Sequence, residues 1–234
     1  MNQTRSIVKA LLPRRVRRFL RVAHRAFVFR RAMIKFLKVP ESCTRPGNPV
    51  VTDLIYGWGN ISWGAKDEYL ASCIEHALNS NGPILECGSG LSTILVGAIA
   101  KRRGLYHWTL EHKQTWATRV KGYLNRYNID SVVLHEKPLK DYGKFLWYDP
   151  PLKSMPESFN FVICDGPPGI TKGGRFGLVP IMSPRFHPGC IILLDDAHRE
   201  QELAIARRWE SELNASFEIL GCIKPYIKMT VYGN

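Results

Sequence analysis

The residues best suited to chemistry sit in Ile84-Leu-Glu-Cys-Gly-Ser-Gly-Leu-Ser-Thr-Ile94. An apolar run leads to Glu86, and Gly88 and Gly90 then permit a tight turn with close backbone approach to a ligand. Ser92 is a candidate cap for the helix that follows. A Gly-x-Gly turn between strand and helix is shared by nicotinamide, flavin and S-adenosylmethionine sites, and by plain turns that bind nothing. Two details narrow the choice. Thr93 replaces the third glycine of the dinucleotide fingerprint, which disfavours the close helix packing of a pyrophosphate site. Glu86 would repel a pyrophosphate but suits a ligand that carries an ammonium group. Glu111 lies 21 residues beyond Gly90, the distance expected of a carboxylate that accepts both ribose hydroxyls. The two glutamates favour an adenosyl ligand with a cationic amino-acid tail, and S-adenosylmethionine fits both ends.

These residues need strand ends to hold them. Short apolar runs predict strands at 83–86, 105–111, 131–135, 159–165, 190–195, 217–222 and 226–232. Helical spacing predicts helices at 66–78, 92–103, 114–127, 177–183 and 199–213. This alternation argues for an α/β, Rossmann-like, doubly wound sheet of about seven mostly parallel strands. Only five residues, Gly221 to Pro225, join the last two strands. That link is too short for a helical crossover, so the two should form an antiparallel C-terminal edge pair. Ligands of such sheets bind beyond the carboxyl ends of the strands, where the strand order reverses.

At this point the sequence resembles a known family. Glu86-Cys-Gly-Ser-Gly-Leu-Ser-Thr93 resembles motif I of class I S-adenosylmethionine-dependent methyltransferases, and Leu110-Glu-His112 resembles their second motif. The closer resemblance is to a bacterial group whose fourth strand ends in Asp-Gly-Pro-Pro-Gly and whose fifth ends in Leu-Asp-Asp. Here these are Asp165-Gly-Pro-Pro-Gly169 and Leu194-Asp-Asp-Ala-His-Arg199. Tyr56-Gly-Trp-Gly-Asn60 with Trp63, and Pro138-Leu-Lys-Asp-Tyr142 with Trp147-Tyr-Asp149, are similar to the same group. The likeness runs from about residue 55 to residue 234.

The resemblance implies an enzyme with S-adenosylmethionine as cofactor. It places Gly88, Ser89 and Gly90 along the methionine portion, Glu86 near the ammonium group, Glu111 on the ribose and Leu139 near the adenine. Trp58 and Asn60 either close over the pocket or belong to a packed helical cap. Asp165 would face the transferred methyl group and position or deprotonate the acceptor, beside the loop-stiffening Pro167 and Pro168. Gly166 interrupts the Asp-Pro-Pro-aromatic pattern of amino-group methyltransferases. That points away from a nucleic-acid base or protein amide and toward a hydroxyl or carboxyl acceptor. Asp196 and His198 are further catalytic candidates, His198 as a base or merely as a helix-capping or loop residue. Asp165, Asp195 and Asp196 resemble the cation ligands of metal-dependent O-methyltransferases. However, Ala197 stands where an Asn usually follows, and three carboxylates are few for a hard cation; the expectation is no metal. Lys172-Gly-Gly-Arg-Phe176 has the flexibility of a substrate loop, in which Arg175 either binds an anionic acceptor or is a solvated loop residue.

Charge divides the chain of 234 residues. Its formal net charge is +13, yet residues 1–40 hold twelve basic side chains and no acid, leaving +1 on the remainder. The division is a basic amphipathic arm (1–40), a linker and N-terminal helical cap (41–80), and the S-adenosylmethionine-binding domain (81–234). Within the linker, 41–62 is rich in Pro, Gly and Asn. A helix opening at Pro13 puts Val16, Phe19, Leu20, Val22, Ala23 and Phe27 on one side and most arginines on the other. The pattern blurs between Phe27 and Leu37. Such a helix packs on the body or a second copy, lies on an anionic membrane surface through residues 14–27, or serves as a targeting or nucleic-acid arm. Confinement of the charge to the arm argues against nucleic acid as a partner of the body. No apolar run is long enough to span a bilayer. The six cysteines show no CxxC pair, which suggests reduced core thiols, no structural zinc and a cytoplasmic location, peripheral on the inner membrane face. Envelope glycan or lipid precursors would suit such an enzyme as acceptors. Two other readings stand beside it: a nicotinamide oxidoreductase, and a non-catalytic membrane-tethered module that kept the fold.

Overall fold

The computed structural model describes residues 13–59 and 64–233. Seven strands form the main sheet: β1 (Ile84–Cys87), β2 (His107–Glu111), β3 (Val132–Glu136), β6 (Phe159–Cys164), β7 (Phe186–Leu194), β8 (Ala215–Leu220) and β9 (Tyr226–Val231). Their order is β3-β2-β1-β6-β7-β9-β8, with β4 (Lys140–Asp141) and β5 (Leu146–Trp147) forming a separate two-stranded ribbon. Pairing from β3 through β7 is parallel. β9 runs antiparallel between β7 and β8, as the short link requires. The order reverses between β1 and β6, so the switch point opens beside Gly88 and Asp165.

Alternation along each strand builds two cores. Ile84, Phe161, Ile163 and Leu193 face one apolar cluster, whereas Leu85, Val162, Cys164, Ile192 and Leu194 face the other. The first cluster is covered by helices α1 (Arg14–Lys38), α2 (Pro49–Trp58), α3 (Asp67–Asn79), α4 (Leu91–Arg103) and α5 (Gln114–Arg126). The second is covered by the β4–β5 ribbon, α6 (Leu178–Met182) and α7 (Glu200–Glu212). The central parallel strands β1 and β6 are thus buried on both faces and read as apolar runs, whereas the edge strand β3 is half-buried.

The segment expected to be a linker contains α2, a correction with a local cause. Asn48 accepts a hydrogen bond from the Val50 amide, Pro49 opens the helix, and Gly59 ends it at φ 75°. Val51, Leu54 and Trp58, at helical spacing, bury its inner side. Helix α1 explains the blurred pattern in the arm. Phe29, Ala32, Met33 and Phe36 are buried, and Phe29 meets Trp58, Tyr123 and Tyr127 with ring centroids 5.0–6.2 Å apart. At about 100° per residue, Val16, Leu20, Phe27 and Ile34 line the opposite side of the helix, and all four are exposed. The C-terminal half of α1 therefore carries apolar residues on two faces. None of the described helices is long and apolar enough to cross a membrane. All six cysteines are free, five of them buried and Cys222 exposed.

Candidate active site

The strand ends around the switch point enclose a cavity of about 380 Å³ whose lining includes Glu86, Gly88, Ser89, Ser92, Glu111 and Asp165. Gly88 holds φ +91°, and a Cβ there would stand 3.2 Å from the Gly166 amide nitrogen. Gly166 is equally constrained, since a Cβ would lie 3.0 Å from the Gly88 Cα and run into the Tyr148 hydroxyl. The turns after β1 and β6 thus cross backbone to backbone. Gly90 is extended, and a Cβ there would meet nothing within 4 Å; it borders a smaller recess shared with Trp58 and Trp116.

Glu86, His107, Thr109 and Glu111 share one face of the sheet, because Glu86 lies opposite Thr109 in the β1–β2 register. Glu86 is buried and accepts hydrogen bonds from Ser92 Oγ at 2.6 Å and Thr109 Oγ1 at 3.2 Å. His107 Nε2 is 3.1 Å from Glu86 Oε2, the oxygen that Thr109 also reaches. Ser92 therefore does not cap α4. The Thr93 side chain does so, accepting from the Gly90 amide at 2.8 Å. One Glu111 oxygen accepts from the His112 and Lys113 amides, both at 2.8 Å, and the other accepts from Ser89 Oγ at 2.6 Å. Both carboxylates are held from behind before any ligand arrives.

Beyond β6 and β7 lies a cluster of charge. Arg175 is 2% exposed and lies 3.1 Å from Asp165 Oδ1 and 2.7 Å from Asp196 Oδ2. Lys224 Nζ is 2.6 Å from Asp195 Oδ2 and 2.8 Å from Asp196 Oδ1. The Arg175 position corrects the expectation of a solvated loop arginine: the side chain is buried, in the wall of the cavity. Successive left-handed glycines, Gly173 and Gly174 at φ +78° and +53°, turn the chain inward. The same segment is packed against Phe145 and Gln201, unlike the flexible substrate loop it suggests in sequence. Asp196 itself is left-handed at φ 64°.

Asp165 is 27% exposed, open to the cavity and enclosed by protein elsewhere. Burial, then the charge of Asp195, pushes its carboxyl well above the usual carboxylate range against the pull of Arg175 and Lys224. Asp196 goes the other way, lowered despite burial by Arg175 and Lys224. Both cations are held above their ordinary values despite burial, Arg175 chiefly by Asp165 and Lys224 chiefly by Asp195.

Of the other expected site residues, His198 is exposed at the cavity rim. Leu139 packs in the second apolar cluster and is not in the cavity lining. Trp58 is buried, with the Arg119 guanidinium 4.0 Å from its ring centre; Asn60 and Trp63 lie outside the described residues. Three residues that line the cavity carried no sequence signal strong enough to place them there: Lys224, Trp116 and Tyr148. Tyr148 is buried, and its hydroxyl has no hydrogen-bond partner among the described residues.

The sequence matches no protein-family model and no curated protein. Its fold is similar to solved structures. An O-methyltransferase from Bacillus cereus in complex with SAH is 17% identical, with TM-score 0.55 over 80% of this chain and 92% of that one. A SAH-bound methyltransferase from Podospora anserina is 14% identical, with TM-score 0.58 over 87% and 88%. A precorrin-6y methyltransferase from Geobacter metallireducens is 15% identical, with TM-score 0.54 over 73% and 90%. At these identities the likeness establishes the Rossmann-like α/β fold.

Proposed function

We propose that this chain is an S-adenosylmethionine-dependent methyltransferase acting on an oxygen of a small-molecule, glycan or lipid-linked acceptor. The observation that carries the reading is the placement of Glu86 and Glu111, both pre-held, on either side of the Gly88 turn in one cavity that opens onto Asp165. A cavity of this size at the switch point suits a small ligand, and the many charged side chains in its lining suit a ligand that carries charge of its own. The fold similarity to SAH-bound methyltransferases supports the same reading.

The residues fit the cofactor. Glu86 is an acceptor suited to an ammonium group, and Glu111 is a carboxylate suited to two ribose hydroxyls. Tyr148 offers a buried hydroxyl that still needs a partner. When bound, the cofactor supplies a sulfonium-activated methyl group. The chain's own part is positioning and proton handling. Asp165 accepts the proton of the acceptor hydroxyl, a task suited to a carboxylate of raised basicity. His198, at the rim, is placed to meet the acceptor as it enters.

We place the enzyme at an anionic membrane surface, peripheral and on the cytoplasmic side. The support is the exposed apolar line on α1, with Leu20 and Phe27 51% and 64% exposed, and the exposed Phe19 beside it, flanked by arginines. Thermal shift tests the cofactor reading: S-adenosylhomocysteine should raise the melting temperature where NADH leaves it unchanged. Stabilisation by NADH alone would favour an oxidoreductase. No response to either would favour a non-catalytic module.

A further inference from the structure

One oxygen each from Asp165, Asp195 and Asp196 lies within 4.8 Å of the others. A hard divalent cation seeks such a group and takes about six oxygens at roughly 2.0–2.6 Å. Here each of the three carboxylates already has a cationic partner. Lys224 Nζ bridges Asp195 and Asp196 at 2.6 and 2.8 Å, and Arg175 bridges Asp196 and Asp165 at 2.7 and 3.1 Å. Arg199 adds a third cation, 2.9 Å from Asp196 Oδ2. The backbone carbonyls of Asp165 and Asp195, the next oxygens a metal would recruit, accept from Arg175 as well. A divalent ion would have to displace these groups or sit against two fixed positive charges, so the residues present do not fit a metal.

The cations are delivered by built structure. The glycine pair before Arg175 aims it inward, and its guanidinium is 2% exposed. Lys224 rides on the β8–β9 loop, which is pinned at two points. The Ala197 amide donates to the Pro225 carbonyl at 2.8 Å, and Glu68 on α3 accepts from the Cys222 and Ile223 amides at 2.9 and 3.0 Å.

We propose that Arg175 and Lys224 take the place of a divalent cation at this acidic cluster, so that the chain binds no metal there and Asp165 is held by protein cations. The proposal rests on the methyltransferase reading only for what Asp165 then does. Manganese(II) titration of the full chain, followed by electron paramagnetic resonance, is the test. Wild type should show no site tighter than about 1 mM. Lys224→Ala, with Lys224→Gln in its place if the alanine variant does not fold, should bind manganese at least about tenfold more tightly, which is about 1.4 kcal/mol. A stoichiometric micromolar site in wild type that Asp196→Asn abolishes would overturn the proposal. So would a Lys224 variant that binds manganese no better than wild type. Calorimetry with S-adenosylhomocysteine on the same samples, with and without EDTA, separates the two readings. Absence of binding in both would sink the cofactor reading and leave the manganese result standing.

Discussion

At the scale of single residues, the proposed site divides into carboxylates that orient a ligand and one, Asp165, given the proton transfer. Glu111 has one oxygen fixed by two amides and the other by Ser89, so its role is orientation. Removing a charged hydrogen-bonding group costs about 1.5–3 kcal/mol. Glu111→Ala should therefore weaken S-adenosylhomocysteine roughly ten- to a hundredfold by calorimetry while the chain stays folded. Under the proposed function, Asp165 is the reactive counterpart. It faces Asp195 and Asp196 at the end of β7, Arg175 on the preceding loop and Lys224 on the β8–β9 loop, and burial with Asp195 raises its carboxyl. A base with a raised value is protonated and idle at low pH. Consequently, kcat/KM should climb with pH through a limb lying above the ordinary carboxylate range. Asp165→Asn should remove that limb and about a hundred- to ten-thousandfold of the rate. Arg175→Met should be severe for the fold itself. It leaves Asp165 and Asp196 without a buried partner, and breaking such a pair costs about 3–5 kcal/mol, readable as a lower denaturant midpoint.

At the scale of elements, the strand ends were legible because their chemistry is local. An apolar run, a Gly-x-Gly turn and a carboxylate at the next strand end can be read from spacing alone, and β1, β2 and β6 place those residues in one cavity. What could not be read depended on contacts distant in sequence. Arg175 meets Asp196 across 21 residues and Lys224 meets Asp195 across 29. No local pattern distinguishes them from solvated loop cations. The Gly173-Gly174 pair was the available signal, and it marked a sharp inward turn where flexibility was expected. Helix α2 was missed although Asn48, Pro49 and Gly59 carry its start and stop signals, because the surrounding Pro, Gly and Asn content reads as linker. The crossing of the β1 and β6 turns also joins distant segments, and it sets a further expectation. Gly166→Ala forces a methyl against the Gly88 backbone and the Tyr148 hydroxyl, and should cost about 1–3 kcal/mol as overpacking. Adding Tyr148→Phe should return part of that loss in thermal unfolding. An unchanged deficit would mean that the Gly88 contact alone sets the cost.

At the scale of the whole molecule, the proposal assigns the uneven charge to location rather than catalysis. The excess lies on α1 and the segment before it, while the cavity belongs to a body of nearly balanced charge. Helix α1 serves two purposes on opposite faces: Phe29, Met33 and Phe36 enter the core, whereas Val16, Leu20, Phe27 and Ile34 stay exposed, with Phe19 exposed beside them. Phe29→Ala should cost about 3–5 kcal/mol of stability. Phe19→Ser with Phe27→Ser should leave stability unchanged but reduce co-sedimentation with vesicles that contain phosphatidylglycerol. Equal pelleting of this double variant and wild type would end the membrane assignment. The central claim concerns the cavity at the switch point, and calorimetric titration of the folded wild type with S-adenosylhomocysteine tests it most directly. The account predicts one micromolar site per chain, abolished in Gly88→Arg, where the new side chain must cross the Gly166 backbone. Folded wild type that takes up no S-adenosylhomocysteine would contradict it.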